Sequence, residues 1–341
     1  MAGVTGLPIL DLRDFDSPAA RGAFLERLRT TARDVGFFYL VGHGVEPALE
    51  REIFALSRRF FALPEADKLS IQMANSPHFR GYTRLGDERT GGQTDWREQL
   101  DVGLEVQALD VAPGDPPWKR LQGPNQWPAS LPELRPALLR WHAELLPVAN
   151  RLLCAFALAL EQPGDVFAAA CSGVANQVVK TIRYPGRDPR EGEQGCGAHK
   201  DSEFLTLLCQ HEVGGLQVWS DAGSGPGRWI DAPPLPGSFV VNAGELLELA
   251  SDGYLRATLH RVVAPPAGSE RLSLAFFLAA RLDATVPRLE LPARLAAEAR
   301  GPASDPANPL YRDVGLNTLK GRLRSHPDVA RRHYADLLTG D

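Results

Sequence analysis

An α+β fold with a β-rich core is the class the sequence predicts. Three observations predict it. Helical spacing dominates the first half, short apolar runs bounded by Gly, Pro and Asp fill residues 176–283, and the tail returns to helical spacing. The expected organisation is a single domain over residues 1–341. It has a mainly helical half at 1–175, a β core at 176–283 and a helical tail at 284–341, with no linker good enough to divide it.

The elements follow in order. "LPILDL" (7–12) reads as a short strand. Residues 17–36 carry apolar positions at helical spacing after a Ser-Pro start, and Gly36 is suited to stop the helix. "FFYLVGHG" (37–44) is aromatic and β-branched, hence a strand that ends in a glycine turn. Residues 47–63 give a second amphipathic helix. From Asn75 to Pro128 the pattern dissolves, with one strand at "REQLDVGLE"; irregular stretches of this length usually carry function. Residues 131–160 form a long helix with a candidate kink at Pro147, and 163–172 a short one. After Asn176 come "QVVKTIRY", "EFLTLLCQ", "GLQVWS", "RWIDA", "GSFVVNAG", "TLHRVVAP" and "RLSLAFFLAA", the pattern of a β-sandwich or barrel.

Composition excludes several classes. The chain has 341 residues, 44% hydrophobic and 23% charged, with a formal net charge of −5, and no basic stripe with interleaved aromatics, so nucleic acid is not an expected partner. Cys154, Cys171, Cys196 and Cys209 lack CxxC spacing, which fits a reducing cytoplasm better than a disulfide scaffold or zinc ribbon. No signal peptide and no bilayer-spanning apolar run is expected.

The chemistry concentrates in "GAHKDSEFLTLL" (197–208). Strand residues two apart share a face, so His199 and Asp201 would look into one cavity while Lys200 turns away. His260, in "ATLHRVV", is the best candidate third ligand. Two histidines and a carboxylate match the facial triad of non-haem Fe(II) oxygenases, which leaves three positions open. An isolated His-x-Asp arises often by chance, and the other six histidines sit in a glycine turn, helices or loops. Cys196 lies close in "GCGAH", but a thiolate would favour softer metals and is not expected as a ligand. Eleven residues after His260, Arg271 and Ser273 again share a strand face. Arginine offers a fork that grips a carboxylate bidentately, and serine adds a donor, so the pair reads as an anchor for an acidic cosubstrate.

Beyond these local motifs, "LPILDL", "DVGFFYLVGHGV", "RGYTRLGDERTGGQTDWREQLDVG", "TIRYPG" and the ordered set "HKD…HRV…RLS" resemble, over nearly the whole chain, the isopenicillin N synthase-like branch of Fe(II)/2-oxoglutarate-dependent oxygenases, in their bacterial form. The resemblance implies a distorted double-stranded β-helix (jelly roll) with flanking helices. It implies Fe(II) on His199, Asp201 and His260, and 2-oxoglutarate reaching Arg271 and Ser273 with Tyr184 nearby. O2 would complete the reaction, giving succinate and CO2. Hydroxylation of a small-molecule C–H bond is the default outcome; desaturation, ring formation and ethylene release also occur in the family. Ile182 stands where plant members often carry Asn, with Arg183 beside Tyr184 as either a second carboxylate contact or an outward residue.

Alternatives remain open at this point. Isopenicillin N synthase shares the Arg-x-Ser pattern but uses no 2-oxoglutarate, so an iron oxidase of that kind competes. A binding protein with a degenerate site is a further rival. A zinc hydrolase is disfavoured because no HExxH glutamate is present. Family substrate contacts come from the central irregular region and the tail, which makes Tyr82, Thr83, Arg84, Arg183 and Arg322 candidates. Substrate identity and oligomeric state are not legible.

Overall fold

A computed structural model describes residues 6–221, 227–303 and 308–338. Its strands, in chain order, are β1 Ile9–Asp11, β2 Phe37–Val41, β3 Gly81–Thr83, β4 Arg89–Thr90, β5 Gln93–Thr94, β6 Glu98–Gly103 and β7 Ala175–Pro185. There follow β8 Gln194–His199, β9 Leu205–Gln210, β10 Leu216–Ser220, β11 Arg228–Asp231, β12 Phe239–Ala243, β13 His260–Val263 and β14 Glu270–Arg281. Eight of them form one sheet in the order β1-β2-β12-β9-β14-β7-β6-β3, and four form a second in the order β11-β10-β13-β8. Every pairing is antiparallel except β1 with β2.

Strand alternation gives the large sheet two different faces. On β14, Leu272, Leu274, Phe276 and Leu278 join the core under the helices, while Ala275 joins a second core that includes Val218, Cys196 and Val262 of the small sheet. Both faces are therefore covered, which is why β14 reads as a continuous apolar run rather than an alternating one. The helix Leu134–Ala159 packs on the outer face: His142 meets Phe276, Trp141 meets Phe239 and Phe156 meets Phe38. Pro147 lies on its exposed side, where the missing N–H is cheapest, and the helix runs through it. The helix Arg21–Asp34 buries Phe24, Leu28, Thr31 and Ala32, one stripe at helical spacing. It stops at Gly36, whose φ is +76° and whose added Cβ would sit 2.2 Å from Thr258 Oγ1.

Several elements depart from the sequence reading. Residues 1–175 supply β1, β2, β3 and β6 of the large sheet; β1, β2 and β6 lie where strands were expected, and β3 was not expected. Strand β8 was not expected, because "QGCGAH" has two glycines and no apolar alternation; pairing with β13 makes it a strand. The β4–β5 hairpin and the helix Glu245–Ala250 were also not legible. His199 is the last residue of β8 and Asp201 lies beyond it, in the connection to β9. The two ligand candidates converge through that turn rather than through strand alternation.

Candidate metal centre and cosubstrate site

The antiparallel pairing of β8 and β13 sets His199 directly opposite His260, with ring centroids 4.2 Å apart. Each imidazole is fixed through Nδ1, His199 on the Gly197 carbonyl at 2.8 Å and His260 on the Thr258 carbonyl at 3.2 Å. That leaves both Nε2 atoms free, each 3.6 Å from Asp201 Oδ1. The second carboxylate oxygen is occupied: Oδ2 accepts from Thr206 Oγ1 at 2.6 Å and from Asn242 Nδ2 at 2.8 Å. Thr206 and Asn242 are themselves cross-strand neighbours on β9 and β12. So three hydrogen-bonded side chains aim three free atoms at one point, all within 4.8 Å of one another. Among the described residues this is the one cluster of three such side chains suited to a metal ion.

The electrostatics suit a divalent cation. Burial opposes ionisation of Asp201, but His260, His199 and the two hydrogen bonds hold its carboxyl below the usual range. Burial and the neighbouring His199 push His260 down to about 4, whereas at His199 burial is outweighed by Cys196 and Asp201, which push it up to about 10; a cation held by the two Nε2 atoms and Asp201 would take the place of the His199 proton. Nitrogen and oxygen donors on one face suit Fe(II). Cys196 Sγ lies 3.7 Å from His199 Nδ1, on the nitrogen turned away from Asp201, as expected of a non-ligand.

Farther along the inner face lies Arg271, fully buried. It pairs across strands with Tyr184, whose ring centroid is 4.9 Å from the guanidinium carbon. Its Nη1 donates to Ser273 Oγ at 3.0 Å and its Nη2 to Gln210 Oε1 at 2.9 Å, while Nε has no partner. No carboxylate lies within ion-pair distance of it among the described residues. Burial lowers its pKa, the direction expected of a cation that lacks an anion. An unpaired buried ion costs several kcal/mol, so this guanidinium is built to receive one.

Comparison with known proteins decides the family. Residues 174–280 match the 2OG-Fe(II) oxygenase superfamily, and residues 7–130 match the N-terminal region of the non-haem dioxygenases in morphine synthesis. The 2-oxoglutarate-dependent dioxygenase frbJ of Dothideomycetidae sp. (strain 11243) is 35% identical, over 98% of this chain and 94% of that protein. The chain belongs to the 2OG-Fe(II) oxygenase superfamily. It is an oxidoreductase, a dioxygenase that uses Fe(II), 2-oxoglutarate and O2. Homoarginine-6-hydroxylase 2-ODD-C23.1 of Arabidopsis thaliana is 32% identical over 84% of this chain and 88% of that protein. A 2OG-Fe(II) oxygenase family protein from Caulobacter crescentus shares the fold at a TM-score of 0.74 and 26% identity, covering 94% of this chain and 100% of that one. A full-length Neurospora crassa protein in complex with α-ketoglutarate and thymine matches at a TM-score of 0.74 and 23% identity, over 98% and 99% of the two chains, a likeness of fold. The two facing sheets are thus the double-stranded β-helix of this superfamily, with its flanking helices.

The five substrate-side candidates separate by strand face. Arg183 alternates with Tyr184 and points outward, donating to Glu98 Oε1 at 2.7 Å and to Glu270 Oε2 at 2.8 Å. Tyr82 donates to Glu98 Oε2 at 2.5 Å, beside Lys68 at 2.9 Å. Both side chains thus hold up the outer layer, away from the oxygenase cavity. Arg84 is exposed and pairs with Glu65 at 2.7 Å. Thr83 lies opposite Gln99 on the inner face, its hydroxyl against Met73 Sδ. Arg322, from the helix Val314–Ser325, reaches Asp101 at 2.9 Å. Thr83 therefore lies on the inner face and Arg322 reaches it through Asp101, whereas Tyr82 and Arg183 lie on the outer face and Arg84 on the surface.

The sequence reading missed Thr206, Asn242, Gln210 and Arg97. Arg97 is buried between Glu88 and Asp95, at 3.0 and 3.1 Å, and lies within hydrogen-bond reach of Tyr184. Asp95 in turn accepts from the Gly197 N–H at 3.0 Å, next to the carbonyl that fixes His199. A signal was available: Asn242 in "FVVNAG" and Lys180 in "QVVKTIRY" are polar residues inside apolar strands.

Proposed function

We propose that this oxygenase hydroxylates an unactivated C–H bond of a small molecule, holding Fe(II) on His199, Asp201 and His260 and the distal carboxylate of 2-oxoglutarate on Arg271 and Ser273. The observation that carries the reading is the buried Arg271 guanidinium with only neutral partners, on the same inner face as Thr206, which steadies Asp201. When bound, iron with 2-oxoglutarate and O2 supplies an oxidant able to break such a bond. One oxygen atom enters the product alcohol and the other enters succinate, with CO2 released.

The chain's own part is positioning and exclusion of water. The two carbonyls that take Nδ1 of His199 and His260 fix both rings, and Phe37 packs edge-on against His260 at 5.1 Å. Thr206 and Asn242 hold Asp201 so that one oxygen stays free. Tyr184 covers the guanidinium and presses it toward Ser273 and Gln210. Hydroxylation, rather than desaturation, ring closure or ethylene release, is supported by the hydroxylase names of relatives such as that from Arabidopsis thaliana.

The finer assignments belong to the same proposal. Residues 1–341 act as one oxygenase domain, with the metal site in 176–283. The isopenicillin N synthase-like branch is supported by the order of the three motifs, and a bacterial type by the Caulobacter crescentus likeness. A cytoplasmic setting is supported by four free cysteines. The test is oxygen uptake and succinate release by Fe(II)-loaded enzyme, freed of carried-over cosubstrate and titrated with 2-oxoglutarate. One succinate per O2 and saturation in 2-oxoglutarate are expected. A rate indifferent to 2-oxoglutarate would overturn the reading in favour of an oxidase of the isopenicillin N synthase kind.

A further inference from the structure

On the inner wall of the large sheet, Arg271 of β14 stands between two neighbouring strands. Tyr184 of β7 is its cross-strand partner on one side, and on the other Gln210 of β9 pairs with Ser273. Nearby cations of this wall are matched by carboxylates: Arg97 lies between Glu88 and Asp95, and Lys180 and Arg322 share Asp101. Arg271 is held differently. Nη1 donates to Ser273 Oγ at 3.0 Å, Nη2 donates to Gln210 Oε1 at 2.9 Å, and the Tyr184 ring covers the guanidinium at 4.9 Å. The Tyr184 hydroxyl and the Cys196 thiol also face it, and Arg97 adds a second positive charge nearby.

Gln210 is the informative member of this set. A buried charge is ordinarily met by an opposite one. At position 210 stands the amide of the same length as glutamate, with the same accepting oxygen and no charge. That amide is fixed in one orientation. Its Nε2 donates at 3.0 Å to the carbonyl of Ala232, the buried residue that follows β11, which leaves Oε1 for the guanidinium. Turning the amide over would set Nε2 against Nη2, donor against donor, and lose both bonds. A backbone carbonyl beside the small sheet thus decides which end of Gln210 the arginine of the large sheet meets.

We infer that Gln210 is a positioning residue that sets the class of cosubstrate: it steadies the Arg271 fork without neutralising it, and so reserves that charge for a 2-oxo acid with a distal carboxylate. A glutamate here would complete an internal ion pair and leave no surplus charge for the incoming carboxylate. An apolar residue would keep the charge and lose the orientation of the fork. The inference rests on the placement of 2-oxoglutarate proposed above and adds the residue that makes that place selective for a dianion.

The test compares Gln210→Glu, Gln210→Leu and Arg271→Gln with the wild type, all loaded with Fe(II). The ligands are 2-oxoglutarate and 2-oxovalerate, which has a chain of the same length without the distal carboxylate. Binding of each is measured by calorimetry under argon, so that the readout is affinity and not turnover. Gln210→Glu should weaken 2-oxoglutarate by about 10- to 100-fold and 2-oxovalerate by less than about threefold, so that the preference for the dianion collapses as it does in Arg271→Gln. Should Gln210→Glu fold poorly, Gln210→Leu is read alone: 2-oxoglutarate weakened by about 3- to 10-fold with 2-oxovalerate unmoved. Equal weakening of both acids would assign Gln210 to the scaffold and overturn the inference. If Arg271→Gln loses the preference and neither Gln210 variant does, the anchor stands and the inference falls. If the wild type itself shows no preference for the dianion, the anchor falls, and the inference with it.

Discussion

Replacing Arg271 by glutamine should raise KM for 2-oxoglutarate by roughly 30- to 150-fold and leave iron bound. The magnitude follows from the surroundings of the side chain. Truncating one partner of a buried, hydrogen-bonded charge pair costs about 2–5 kcal/mol, and each 1.4 kcal/mol is about tenfold. The lower part of that range applies, because glutamine can still donate one hydrogen bond toward Ser273 or the cosubstrate. Part of the loss is also offset, because the wild type buries a cation among neutral partners before the anion arrives. For the same reason the ligand-free variant should be no less stable than the wild type, by more than about 1 kcal/mol. Lysine should rescue incompletely, since a point charge does not reproduce the fork. The assay is oxygen uptake against 2-oxoglutarate concentration, paired with thermal unfolding under argon with and without 2-oxoglutarate. At a hundredfold excess over Kd the ligand should stabilise wild type by about 2.7 kcal/mol, and the variant far less at the same concentration. A KM within threefold of wild type would refute the argument. The next cation on that wall, Arg97, would then be the anchor, at the expense of its pairs with Glu88 and Asp95.

Five further outcomes are expected. His199→Ala, Asp201→Ala and His260→Ala should each abolish turnover and iron retention, whereas Asn242→Ala, which only unfastens Asp201 Oδ2, should weaken iron binding by about 10- to 100-fold; metal content after dialysis and an Fe(II) titration measure both. Glu98→Leu strips Tyr82, Lys68 and Arg183 of their shared acceptor and should cost on the order of 3–5 kcal/mol. Arg84→Ala should stay within about 0.5 kcal/mol, both read from urea unfolding. Asp101 is buried, yet Lys180 and Arg322 hold its carboxyl below the usual range. Its folded-state pKa is depressed, so its contribution is present above the unfolded carboxyl pKa and is lost as pH falls through the folded one. The stability gap between wild type and Asp101→Asn should narrow as pH is lowered from 6 toward 3; a gap that widens would contradict the ion-pair account.

What the sequence revealed and what it hid divide along a physical line. His199 and Asp201, and Arg271 and Ser273, are pairs two residues apart, and a spacing that short restricts the geometry before any fold is known. His260 could be added because its strand was visible in the hydropathy, although the pairing that sets it opposite His199 was not. The alternation rule also separated Phe276 from Phe277 correctly: the first packs on His142 under the helices, the second lies beneath Lys180 on the inner wall. The same rule should have separated Arg183 from Tyr184, and it left Arg183 open only because its acceptors, Glu98 and Glu270, come from two other strands. Tyr82 was left open for a related reason, since β3 is three residues long and its inward face is defined only by the pairing with β6. The charged wall was hidden most completely. Glu88 looks in sequence like a solvated charge of any long loop, Arg97 and Asp101 fall in the expected strand "REQLDVGLE" with nothing to mark which face is covered, and Arg322 and His326 look like an ordinary helix end. Only Lys180, a lone charge inside "QVVKTIRY", broke a local rule. A strand covered on both faces has no solvated side for an ammonium, so that lysine had to meet carboxylates inside, and following it leads to Asp101 and Glu88.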